Sequence, residues 1–166
     1  MDNAFDYVMK NKGIECEGTA HRVERIDHRA SHVTLHTPGD YPYKAADGTC
    51  KADPKKPVCG TCSGHTDVAA TETALQAAAS GRVISIAIAA EQDFMFYTKG
   101  IFDSTTCPTD PDSLDHGVAV VGYDSSAQYW IVRNSWGASW GEAGYIRMKM
   151  GKNLCGITDA ASYPQA

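Results

Sequence analysis

The sequence has no apolar run long enough to cross a bilayer as a helix. It has no excess of basic residues either: 15 Lys+Arg face 20 Asp+Glu, a formal net charge of -5. That balance excludes a broadly nucleic-acid-binding surface, which would be basic. There is no internal repeat and no low-complexity tract. The first residues, Met1-Asp2-Asn3-Ala4-Phe5-Asp6, are acidic and mixed, unlike the basic-then-apolar opening of a secretory leader. What the chain does have is 166 residues, 43% of them hydrophobic. This supports one core or the larger part of a two-lobed domain, and argues against disorder. Six cysteines point to an oxidising compartment.

Residues 2–12 read as a short helix, with Asp2 as a cap, Ala4/Val8 and Phe5/Met9 as apolar i,i+4 pairs, and Gly13 as a stop. Thr71 caps a second helix over 72–79, rich in Ala with Leu75. Strands dominate the rest. Val83-Ile84-Ser85-Ile86-Ala87-Ile88 is β-branched and apolar on both parities, as a strand covered on both faces would be. Residues 117–123 and 129–134 are two more strands, joined by the turn Asp124-Ser125-Ser126, and 144–149 alternates like a half-exposed strand. Gly39 to Tyr43, Asp47-Gly48 and the Lys/Pro-rich stretch to Pro57 read as turns and loops.

Residues 18–38 differ from their surroundings. They hold four of the six histidines, no aromatic residue and no sustained apolar period, and they read as an exposed insertion. His28, His32 and His36 recur every four residues, which is metal-ligand spacing on a helix, but Val33, Thr34 and Pro38 disfavour a helix there. Cys59, Cys62 and His65 form a Cys-x2-Cys-x2-His pattern with three potential zinc ligands and no evident fourth. The alternative for this pattern is loop cysteines or a bridge.

Two segments carry chemistry: Asp115-His116-Gly117-Val118-Ala119-Val120-Val121-Gly122-Tyr123, and Trp130 to Gly137 with Trp140-Gly141 and Gly144-Tyr145. His116 starts one strand and Asn134 ends a later one. If those strands are neighbours, the two meet at one sheet edge. An asparagine oxygen accepting from one imidazole N–H sets the tautomer and leaves the other nitrogen facing a nucleophile. Trp136 beside the pair keeps water from the bond.

With these motifs the chain resembles the papain-like cysteine peptidases, in particular the cathepsin L-like branch. The matching segments are DHGVAVVGY (115–123), YWIVRNSWGASWGEAGYIRMKM (129–150) and NLCGITDAASYP (153–164), with further matches at 1–15, 40–50 and 83–102. The resemblance covers nearly the whole chain except 18–38. It implies an α+β papain-like fold: an antiparallel β-barrel lobe plus a short helical remnant of the second lobe. It implies a cysteine-type endopeptidase, with His116 as catalytic base and acid, Asn134 as its orienter and Trp136 as the shield. By the same resemblance, Cys107 pairs with Cys155, while Cys50 matches a cysteine whose partner lies upstream. Ala87, Leu114 and Ala160 align with the S2 pocket, whose small apolar lining would favour an apolar P2 side chain. The implied partners are a peptide or protein substrate and a proteinaceous inhibitor, with no nucleic acid, no membrane, no cofactor and no metal. The implied location is lysosomal or extracellular.

The family nucleophile sits in a Cys-Gly-Ser-Cys-Trp context, with the histidine roughly 130–150 residues downstream. Counting back that far from His116 passes Met1. Cys16 lies between Glu15 and Glu17, which would raise its thiol pKa. Cys59-Gly60-Thr61-Cys62 lacks the tryptophan. Gln76, Gln92, Gln128 and Gln165 are all out of context for the oxyanion glutamine. The expectation is therefore that residues 1–166 are an incomplete peptidase region, with Met1 matching an internal methionine. Joining Glu17 to Gly39-Asp40-Tyr41-Pro42-Tyr43 restores the family pattern, so 18–38 would be retained non-coding sequence read in frame. The runner-up is a non-catalytic fragment or pseudoenzyme that binds peptide or inhibitor.

Overall fold

A computed structural model describes residues 1–15, 44, 46, 48–53 and 58–166. The expected insertion at 18–38, the histidines 28, 32 and 36, Cys16 and the Tyr41-Pro42-Tyr43 stretch lie outside the described residues. The chain divides into two compact units, Met1–Asn3 with His65–Gln165, and Ala4–Gly64 with Ala166.

The smaller unit holds most of helix α1 (Asp2–Lys10) and the short antiparallel pair β1 (Ile14–Glu15) and β2 (Val58–Gly60). The α1 helix ends where Gly13 donates its amide to the Val8 carbonyl at 2.8 Å. Gly13 sits at φ +138°, and a Cβ there would come within 2.2 Å of Val58 Cγ1. Only glycine suits both demands.

The larger unit is built on seven strands: β3 (Gly64–Val68), β4 (Ile84–Ile88), β5 (Ile101–Phe102), β6 (His116–Asp124), β7 (Tyr129–Arg133), β8 (Tyr145–Lys149) and β9 (Ala161–Gln165). Their spatial order is β3-β9-β4-β6-β7-β8-β5. The sheet is mixed, because β5 runs parallel to β8 while β4, β6, β7, β8 and β9 pair antiparallel where they meet. Helix α2 (Glu72–Ala79) occupies the residues its pattern predicts, and the Thr71 side chain accepts from the Ala74 amide at 3.2 Å. A further short helix, α3 (Gln92–Met95), follows β4.

The core lies against one sheet face. Ile84, Ile86 and Ile88 of β4, Val120 of β6, Trp130 and Val132 of β7, and Ile146 and Met148 of β8 are fully buried, with Leu75 of α2 and Phe94 of α3 over them. The β4 strand departs from its expectation. Its isoleucines are buried, but Ser85 and Ala87 on the other face are only half-buried. The apolar character on both parities reflects small residues on a partly open face instead of two covered faces.

Two long-range links hold the ends of these elements. The Glu72 carboxylate, in the first turn of α2, accepts from the amides of Gly151, Lys152 and Asn153 at 2.6, 2.9 and 2.8 Å. Cys107 and Cys155 form a disulfide across a sequence separation of 48.

Candidate active site

The β6 strand carries His116 at its first residue, in register with Ile88 of β4. The approach to it is fixed by Asp115, whose amide donates to the Ile88 carbonyl at 3.1 Å and whose Oδ1 accepts from the Ala90 amide at 2.8 Å. On the other side of β6, Ala119 pairs with Arg133, so the residue after β7, Asn134, emerges beside the start of β6. His116 Nε2 and Asn134 Oδ1 are 2.9 Å apart. The same oxygen accepts from the Ser135 amide at 2.7 Å. A backbone N–H only donates, so this atom is the carboxamide oxygen, and the imidazole must donate to it from Nε2. That leaves Nδ1 as the ring nitrogen with the lone pair. Asn134 is 8% exposed, and its Nδ2 is buried with no hydrogen-bond partner among the described residues.

Trp136 lies over the imidazole of His116. Its ring stacks on His116 at 4.7 Å and 30°. It is itself held edge-on by Phe94 at 5.7 Å and Trp140 at 5.4 Å. Trp140 is pinned by its indole N–H, which donates to the Met95 carbonyl at 2.9 Å. The connection from Gly137 to Gly144 makes this possible. Gly141 sits at φ +55°, and a Cβ there would come within 2.6 Å of the Tyr145 carbonyl oxygen.

A polar bracket closes the far side of that turn. Glu142 accepts from Arg147 Nε at 2.8 Å, from Arg147 Nη2 at 2.5 Å and from the Gly100 amide at 3.0 Å. The Arg147 hydrogen bonds, and then the Gly100 amide, hold the Glu142 carboxyl at about 2, well below its ordinary 4.5. Tyr97 donates to the Gly100 carbonyl at 2.6 Å, and burial pushes its phenol up.

Of the three residues aligned with an S2 pocket, Ala87 donates its amide to the Ala160 carbonyl at 3.0 Å. Leu114 precedes the Asp115 amide that bonds Ile88, and its Cδ2 presses toward Gly156. Ala87 and Leu114 are half-buried and Ala160 is exposed. Sequence reading named His116, Asn134 and Trp136 but missed Phe94, Tyr97 and Arg147. The local signal of Phe94 and Tyr97 is an aromatic run after β4, and their ring contacts with Trp136 and Trp140 place them; Arg147 has no such signal, and the β5–β8 pairing sets it opposite Ile101.

The Cys-x2-Cys-x2-His pattern does not assemble as a zinc site. Cys59 is disulfide-bonded, and the Cys62 thiol donates to the Phe5 carbonyl at 3.5 Å. A bonded cysteine has no thiolate to offer a metal.

The family model described as "Papain family cysteine protease" matches residues 1–165. Digestive cysteine proteinase 2 of Homarus americanus is 41% identical over 99% of this chain and 45% of its own length. Pro-cathepsin H of Bos taurus is 37% identical over 97% of this chain and 43% of its own length. The chain thus spans less than half of these relatives. Among solved structures, the bromelain protease from Ananas comosus in complex with the E64 inhibitor is similar with a TM-score of 0.73 and 35% identity, over 99% of this chain and 68% of that one. The digestive procathepsin L2 proteinase from Tenebrio molitor gives 0.74 and 30%, over 100% and 47%. The α+β fold is that of these papain-like neighbours.

Proposed function

The chain belongs to the papain family of cysteine proteases, and from that premise we propose that it is the histidine–asparagine part of a cysteine-type endopeptidase, with the nucleophilic cysteine outside these residues. The observation that carries this reading is the 2.9 Å bond from His116 Nε2 to Asn134 Oδ1. With Nε2–H committed to Asn134, Nδ1 takes the proton of a cysteine thiol. The resulting imidazolium stabilises the thiolate. The thiolate attacks the peptide carbonyl, His116 returns the proton to the leaving amine, and water then releases the acyl group. Asn134 keeps the ring in one tautomer and one orientation through both transfers. Trp136 shields the bond between them.

Ala87, Leu114 and Ala160 support a preference for an apolar P2 side chain, because they offer small, uncharged walls. Peptide or protein substrates and proteinaceous inhibitors are the partners this reading implies, in a lysosomal or extracellular setting. The Cys107–Cys155 disulfide suits such an oxidising compartment.

The test is covalent labelling with an E64-type epoxide, applied to this chain and to a longer product of the same coding locus. We expect the label on a cysteine outside residues 1–166 in the longer product, and loss of hydrolysis with His116→Ala. A label on Cys16, Cys59 or Cys62, or hydrolysis that survives His116→Ala, overturns the reading. Peptide binding without hydrolysis in the longer product selects the non-catalytic alternative.

A further inference from the structure

His65 was left over when the Cys-x2-Cys-x2-His pattern failed, and its surroundings are more informative than that pattern. One ligand atom from each of Asp2, His65 and Asp67 lies within 4.8 Å of the other two. All three residues belong to the larger compact unit. We propose that they form a binding site for a divalent first-row transition metal, with zinc the best fit.

The backbone presents these residues together. His65 and Asp67 are alternate residues of β3 and so project to the same face of the strand. Thr66, between them, is engaged separately, accepting from Gln165 Nε2 at 2.8 Å. Asp2 is held in place by β9. Its Oδ1 accepts from the Ser162 hydroxyl at 2.8 Å, and Ser162 is 3% exposed, in β9 opposite Ser85. A donor behind a ligating carboxylate fixes its orientation and supports the metal site. Asp67 is exposed, so its carboxylate is free to swing inward. Ligands about 2.0–2.2 Å from a shared ion stand roughly 3.5 Å apart, so binding draws these side chains inward from their present spacing of up to 4.8 Å.

The donor set selects the ion. An imidazole nitrogen with two carboxylates is more than an acidic patch: it disfavours calcium, which takes six to eight oxygens. It offers no thiolate for copper(I). Three protein ligands of this kind leave one position for water in a four-coordinate zinc site. His65 can keep a hydrogen bond on one ring nitrogen while the other ligates, as metal-bound histidines generally do. The bound ion would fasten residue 2 to β3, two segments that are distant in sequence. This inference uses none of the residues of the His116–Asn134 pair.

The test uses the full chain, stripped with chelator and titrated with zinc by calorimetry and with cobalt(II) by visible absorption. We expect one zinc equivalent bound and cobalt d–d bands of a four-coordinate nitrogen/oxygen site. Asp67→Asn and His65→Ala are each expected to weaken binding by at least about tenfold, with unchanged far-ultraviolet circular dichroism. A His28→Ala, His32→Ala, His36→Ala triple variant should bind as the parent does. Absence of stoichiometric binding, binding that survives both Asp67→Asn and His65→Ala, or binding lost only in the triple variant would overturn the proposal.

Discussion

Asn134 Oδ1 accepts two N–H donors at once, His116 Nε2 at 2.9 Å and the Ser135 amide at 2.7 Å. The second bond fixes which end of the carboxamide faces the ring, and so which ring nitrogen carries the proton. Asn134→Ala removes the acceptor without crowding the site. The expected outcome is loss of the single tautomer: ring nitrogen-15 shifts of His116 should report the Nε2–H form in the parent and a tautomer mixture in the variant. A variant that keeps the Nε2–H form would show that some other group sets it.

Trp136 is 39% exposed and stacks one face of its ring on the imidazole of His116. Trp136→Ala should admit water and speed exchange of the His116 Nε2 proton, measurable by nuclear magnetic resonance. The lost ring contacts should cost about 0.5–1.5 kcal/mol of stability beyond the area lost. Unfolding in urea checks the second figure and proton exchange the first.

The Glu142–Arg147 bracket makes stability acid-sensitive in a defined window. Glu142 titrates at about 2 in the fold against an ordinary 4.5. A depressed carboxyl contributes its stability in full above the ordinary value and loses it as pH falls toward the folded one. Glu142→Gln should therefore be less stable than the parent near neutral pH. The gap should close as pH drops from about 4.5 to about 2, as followed by denaturant unfolding across that range.

Cys107–Cys155 closes a separation of 48 residues and joins the loop after β5 to the turn before β9. Loop-closure entropy of that size stabilises by about 4 kcal/mol. Cys107→Ser with Cys155→Ser should lower the urea midpoint accordingly. A loss under about 1 kcal/mol would mean that the reduced chain already holds these segments together.

Some of this was legible along the chain. The α2 helix announces itself through Thr71 and its alanine run, and β6 and β7 through β-branched residues around the Asp124 turn, whose carboxylate accepts from the Ser126 and Ala127 amides. His116, Asn134 and Trp136 stood out because they sit at strand ends inside glycine- and tryptophan-bearing motifs. Other features were invisible there. Phe94 is aromatic among aromatics in sequence, and only its place under Trp136 and beside His116 gives it meaning. Glu142 and Arg147 are five residues apart in no helix, so no periodicity pairs them.

The sequence by itself determined the local elements, the helix cap and stop, and which three residues, His116, Asn134 and Trp136, to bring together. These depend on near-neighbour sterics and on motifs short enough to read directly. Tertiary structure alone decided which imidazole nitrogen is committed, what holds Trp136 in place, and that Asp2 stands with His65 and Asp67. Each of those depends on strand order and register, which bring together residues far apart in the chain through hydrogen-bond pairing that no local window contains.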